Sequence, residues 1–300
     1  MPAPLLPYEI HRAKAPIYAL CALGDGVIAG CGDGAVLRWC AGSPDRIELA
    51  AQAPASIFGL CAIGPMSFAI GTAAGELIIV DLKARIAVQR ITAHASAIHA
   101  ITMIGTDRMA SAGADGCLVI WQHAHGNWTL LRRIPITDNK LRGLTVSTDG
   151  GLIALACGDG FVRLLDTELF NELGTFPGHE GGANCAAFHP GKAALLSGGK
   201  DGHLRAWDLR DSPRELVSVA AHRSTVYGIG FNQSGSRFAT ASRDKTAKLW
   251  DAEDLNVLQR LDARAKGHAH SVNALAWLND ELITAGDDRR LIRWAADQNG

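Results

Sequence analysis

The chain reads as an all-β protein, a seven-bladed β-propeller built from four-stranded antiparallel blades. Three observations predict it. A strand–turn–strand unit recurs: FATASRDKTAKLWD, from Phe238 to Asp251, has near-copies in LLSGGKDGHLRAWD from Leu195, MASAGADGCLVIW from Met109 and LITAGDDRRLIRW from Leu282. Its turn residue falls at Asp33, Ala74, Asp115, Asp159, Asp201, Asp244 and Asp288, at spacings of 41, 41, 44, 42, 43 and 44 residues. A period of about 40–45 residues is that of four-stranded propeller blades. Six positions beyond each turn stands a large apolar residue: Trp39, Val80, Trp121, Leu165, Trp207, Trp250 and Trp294.

Each copy supplies its strands by pattern. An upstream segment alternates with period two, clearest in VYGIGF from Val226, VNALAW from Val272, IHAITM from Ile98 and LRGLTV from Leu141. Such alternation of Val, Ile and Leu is a strand signature. GDG, ADG, KDG and STDGG mark the turns between runs. Beyond the Trp column a more polar segment, such as RELVSVAA from Arg214 to Ala221, reads as an outer edge strand. Polarity there discourages pairing with other molecules. The seventh copy reaches Trp294 with only AADQNG after it, so its outer strand is expected from the strand-like segment LLPYEIHR, Leu5 to Arg12. Residues 1–300 are read as a single propeller.

Composition narrows the function classes. A formal net charge of -1 gives no global attraction to nucleic acid or membrane. The seven cysteines include no C-x-x-C pair, which argues against a disulfide framework or zinc site. They read as small buried apolar residues in a reducing compartment. The first fifteen residues lack the basic start and apolar run of a secretory signal, and the apolar runs are too short and broken to span a membrane. The expectation is a soluble cytoplasmic protein.

Trp207–Asp208 and Trp250–Asp251 are WD dipeptides, and Gly178–His179 and Gly267–His268 are Gly-His elements, with weaker forms at Ala93–His94 and Ala221–His222. On these residues the chain resembles the WD40-repeat family over essentially its whole length. The resemblance implies a hydrogen-bonded tetrad of His, strand Ser/Thr, turn Asp and Trp within a blade. Four copies match: His94, Ser111, Asp115 and Trp121; His179, Ser197, Asp201 and Trp207; His222, Thr240, Asp244 and Trp250; His268, Thr284, Asp288 and Trp294. Ala13, Ala53 and Thr137 occupy the His column of copies one, two and four, which are expected to be held mainly by packing. A buried Asp is costly unless hydrogen-bonded, and His, backbone N–H groups and an indole N–H together satisfy such a site. The His–Ser/Thr–Asp grouping looks like a catalytic triad, but fourfold repetition marks a brace. No catalytic residue is assigned.

Binding in such a fold falls to the faces and the channel, because blade interiors are packed. The residue after the opening apolar residue of each innermost strand is Tyr18, Phe58, His99, Arg142, Asn184, Tyr227 and Asn273. These either contact a ligand or fill the inner ring against one another; aromatics and Arg are what interface hot spots favour. The residue before each turn is Gly32, Ala73, Ala114, Gly158, Lys200, Arg243 and Asp287, and the entering loops add Lys14, Asp138, Lys140, Glu180 and Arg223. Lys140, Arg142, Lys200, Arg223 and Arg243 belong to blades four to six. They suit a partner with an acidic segment, against the competing reading of a solvated charged rim.

No cofactor or metal is expected: His123 and His125 lack further ligands, and the GDG stretches at 24–26 and 158–160 open no helix. The leading expectation is a non-enzymatic scaffold, a monomeric propeller within a hetero-complex, holding a protein or peptide on one face and the channel mouth. The alternative is a catalytic, small-molecule or metal-binding propeller, for which His99 with Arg142 is the one candidate pair. Nucleic-acid binding is disfavoured by the charge balance and sparse aromatic–basic interleaving.

Overall fold

The structure, a computed structural model, describes residues 4–40, 47–210 and 213–296. Seven four-stranded antiparallel sheets follow one another around a ring. Blades one to six comprise residues 17–52, 57–92, 98–135, 141–176, 183–220 and 226–261, each with its strands in chain order from the channel outward. Blade seven takes three strands from 272–296, and Leu5–Arg12 pairs antiparallel with its last strand, Arg290–Ala296, as the fourth. The N-terminal segment therefore closes the ring, as the sequence predicts.

The core is not inside the blades. Seven apolar clusters each draw on two adjacent blades, including the last with the first. The second strand of every blade accordingly keeps a small residue three positions before the turn: Gly30, Gly71, Ala112, Ala156, Gly198, Ala241 and Ala285. A Cβ at Gly30 would stand 2.5 Å from Ile57, one at Gly71 2.6 Å from Ile98, and one at Gly198 2.7 Å from Val226. In each case the obstacle is the opening residue of the next blade.

Two ladder irregularities recur. The first lies between the innermost and second strands, where the register skips one residue near the start of the inner strand in every blade. The skipped residues are Tyr18, Phe58, His99, Arg142, Asn184, Tyr227 and Asn273. A β-bulge leaves its extra residue unpaired and re-aims it. That is why this column differs so freely between copies: the ladder does not constrain it. The second lies in the outer strands, where Val88, Leu131, Leu173, Leu216 and Leu258 are skipped in blades two to six.

Candidate functional site

The face carrying the turns and the loops that enter the inner strands is held by four braces of one pattern. In blade six the Trp250 indole N–H donates to Thr240 Oγ1 at 2.9 Å, Thr240 Oγ1 meets His222 Nε2 at 2.7 Å, and His222 Nδ1 meets Asp244 Oδ2 at 3.0 Å. With the hydroxyl hydrogen directed to Nε2, the imidazole keeps its proton on Nδ1 and donates it to the carboxylate. Blade three repeats this through Trp121, Ser111, His94 and Asp115, with His94 Nδ1 2.9 Å from Asp115. Blade five uses Trp207, Ser197, His179 and Asp201. Blade seven uses Trp294, Thr284, His268 and Asp288.

The carboxylates also accept backbone N–H groups: Ala95 and Cys117 at Asp115, Arg223 and Thr246 at Asp244. Burial alone pushes Asp115, Asp201, Asp244 and Asp288 upward, but hydrogen bonds from His and backbone outweigh it and hold all four below the usual carboxylate range. Burial holds His94, His179 and His222 below the usual imidazole range despite the adjacent carboxylates. These four groups are enclosed structural braces; the channel and its rim lie elsewhere. One regularity has no counterpart in the sequence motif. The carbonyl just before each brace His (Ala93, Gly178, Ala221, Gly267) is capped by a cation of the same blade: Arg133 from the outer strand in blade three, and Arg205, Lys248 and Arg290 from the third strand in blades five, six and seven.

Blade four corrects the expectation that copies without His rely mainly on packing. Thr137 Oγ1 donates to Asp159 Oδ2 at 2.9 Å, and Arg163 pairs with the same carboxylate at 2.8 Å. A hydroxyl and a guanidinium do there what His does elsewhere. In blade one Asp33 is exposed. Trp39 sits instead under Arg293 of blade seven, 4.9 Å from the ring centroid, with His11 of the closing strand edge-on at 5.3 Å.

The bulged column divides the channel mouth into unlike arcs. Tyr18, Phe58 and His99 of blades one to three form a continuous aromatic run, with centroids 5.4 and 5.7 Å apart. His99 Nε2 is buried without a hydrogen-bond partner. Burial, then the cations Arg142 and Lys140, push its pKa down to about 4, so it is a neutral ring at physiological pH. Asn184 and Asn273 are turned to the ring itself. Asn184 Nδ2 donates to the Val226 carbonyl at 3.2 Å and Asn273 Nδ2 to the Ile17 carbonyl at 3.0 Å, the same tie from one blade to the next. Asn273 also bonds Asp287 at 2.7 Å. Tyr227 is half-buried on blade six.

Lys140, Lys200, Arg223 and Arg243 are exposed and Arg142 half-buried. Among the described residues none of these five makes an ion pair. The His123 ring lies tilted against Trp128, centroids 5.1 Å apart, and no cluster of three or more His, Cys, Asp or Glu among the described residues is placed to hold a metal. No helix among them is long and apolar enough to cross a membrane.

A family model described as WD domain, G-beta repeat matches residues 170–208 and 214–251. Each match takes the outer strand of one blade with the three inner strands of the next. The chain is 25% identical over 229 residues to telomerase protein component 1 of Mus musculus, covering 76% of this chain and 8% of that protein. It is 31% identical over 161 residues to Polycomb protein esc of Drosophila virilis, covering 50% and 38%. With WD repeat-containing protein slp1 of Schizosaccharomyces pombe it shares 26% over 155 residues, 50% and 30%. The chain thus spans well under half the length of these relatives. The matched repeats carry the braces of blades five and six, and the same four-residue brace recurs in blades three and seven outside the match; the chain is a seven-bladed propeller that carries WD40 repeats.

Proposed function

We propose that the chain is a non-enzymatic, cytoplasmic interaction scaffold, a monomeric propeller that holds a protein or peptide partner with an acidic segment across the channel mouth. The observation that carries this reading is the run of cations without ion-pair partners on three successive blades, Lys140, Arg142, Lys200, Arg223 and Arg243, beside the aromatic run Tyr18–Phe58–His99. Exposed cations steer an anionic partner, and aromatic rings supply contact area at low entropic cost. The relatives are consistent with an interaction role, one being named a protein component and another a Polycomb protein. Asn184 and Asn273 act in this scheme as ties that fix the ring on which the contacting residues stand.

The test is affinity capture with the purified chain, followed by the double charge reversal Lys200→Glu, Arg243→Glu. The reversal is expected to weaken a captured complex at least tenfold, with unchanged melting because both side chains are exposed. Undiminished capture by that variant and by Phe58→Ala, Tyr227→Ala would refute the proposed face.

A further inference from the structure

In blades two, three, five and six the outer-strand bulges bring residues to the junction with the following blade, at the end of the strands opposite the braces. Between blades two and three these are Val88 and Gln89, and the cleft beside them is plugged by Trp128 from blade three's own hairpin. Gln89 clamps the plug by its backbone, accepting from Trp128 N at 2.9 Å and donating to Trp128 O at 2.7 Å. Between blades six and seven the register-equivalent Gln259 clamps Leu5 identically, with both bonds at 2.8 Å, and Leu5 is buried among residues of both blades. Between blades three and four the equivalent Arg132 donates to the Leu169 carbonyl at 2.6 Å, and the adjoining Phe170 is the plug. The same kind of cleft is thus filled three times by a Trp, Leu or Phe side chain whose own or neighbouring backbone is held from the preceding blade.

The junction between blades five and six has the cleft without the full plug. The clamp position holds Val217, which cannot make the bonds of Gln89 or Gln259. The plug position, occupied in blade four by Phe170 at φ 61, holds the smaller Leu255 at φ 57. A cavity of about 660 Å³ remains, against about 200 Å³ beside Trp128. Leu196, Phe231 and Leu255 form its apolar wall, and the bulged Leu216 and Val217 stand half-exposed at its edge. Lys192 and Glu253 pair across it from opposite blades. Exposed ion pairs of this kind are weak and yield readily.

We propose that this cleft is a docking site for a partner protein, taking one large apolar side chain, Trp, Phe or Leu, carried on an extended peptide segment. The occupant's chemistry is read from what the chain itself places in the sister clefts. The site lies at the opposite end of the blades from the channel mouth and stands independently of the function proposed there.

The probe is a capped pentapeptide, acetyl-Ala-Ala-Trp-Ala-Ala-amide, titrated to about 5 mM into the methyl-labelled full chain, a range that reports millimolar affinities. Saturable NMR shifts centred on Leu196, Leu216, Val217 and Leu255, and absent with the all-alanine peptide, are expected. Leu255→Phe, which rebuilds blade four's plug, should weaken binding at least tenfold while raising the melting temperature. Val217→Gln, an exposed change that installs the missing clamp, should strengthen it about fivefold, the effect of one net hydrogen bond. No saturable shift, equal shifts with the all-alanine peptide, shifts centred instead on Ile57 and Ile98 beside the channel mouth, or unchanged affinity in both variants would each overturn the proposal.

Discussion

Replacing Thr240 with Val removes a hydroxyl that serves two partners, accepting from Trp250 and reaching His222. Shape is preserved, and two buried polar groups lose their partner. At about 1–3 kcal/mol for each buried unsatisfied group, Thr240→Val is expected to cost about 2–6 kcal/mol in a denaturant titration. Acid should act on the same sites. His94, His179 and His222 are depressed in the folded state, so their contribution is complete above the unfolded imidazole value of about 6.5 and is lost as pH falls below it. The depressed brace carboxylates add a second loss below about pH 4. Melting temperature measured from pH 8 to 3 should fall in these two stages; a flat profile between pH 7 and 5 would contradict the neutral, enclosed imidazoles.

At the scale of the strand, the small residue three positions before each turn is set by the neighbouring blade. Gly71→Leu would force side-chain atoms into Ile98, to which even a Cβ comes within 2.6 Å. Overpacking of this kind costs about 1–3 kcal/mol or more, so a marked drop in denaturation midpoint is expected, whereas Gly105→Ala, with open space around it, isolates the backbone cost of its positive φ. Much of this scale was legible in the sequence. The turn column and the Trp column follow from a period of 41–44 residues, because a repeated hairpin must repeat its turn chemistry. The residues after the opening one of each inner strand could be listed as a column, and the ladder explains their variety. Which of them are tied to the ring was not legible. Asn184 and Asn273 look like Tyr227 in a column, and only neighbouring blades reveal their carbonyl acceptors. The clamps Gln89 and Gln259 were invisible for the same reason: their partners lie 39 and 254 residues away. Blade four's Thr137–Asp159–Arg163 brace escaped because it uses other residue types.

For the whole ring, closure rests on the strand Leu5–Arg12 against Arg290–Ala296 and on Leu5, fully buried between blades six and seven. Deleting residues 1–12 removes that ladder, opens Trp294 to water and unplugs a junction. Burial of one Leu is worth about 2–3 kcal/mol, and with the ladder lost the melting temperature should drop by about 10 °C or more. A truncated chain that melted like the full one would show that the seam is held otherwise, for instance by Arg293 over Trp39.

Because every apolar cluster is held in common by two neighbours, no blade owns an interior, and the ring has no preferred first member. The order in which the blades are translated is then a convention of the gene and not a requirement of the fold. Leu5 and Ala296 are ladder partners, so a short linker can join them. A circularly permuted chain reopened inside blade four, just before its outer strand Glu172–Phe176, should fold to the same ring, with that strand leading into blade five and pairing back onto blade four as the new seam.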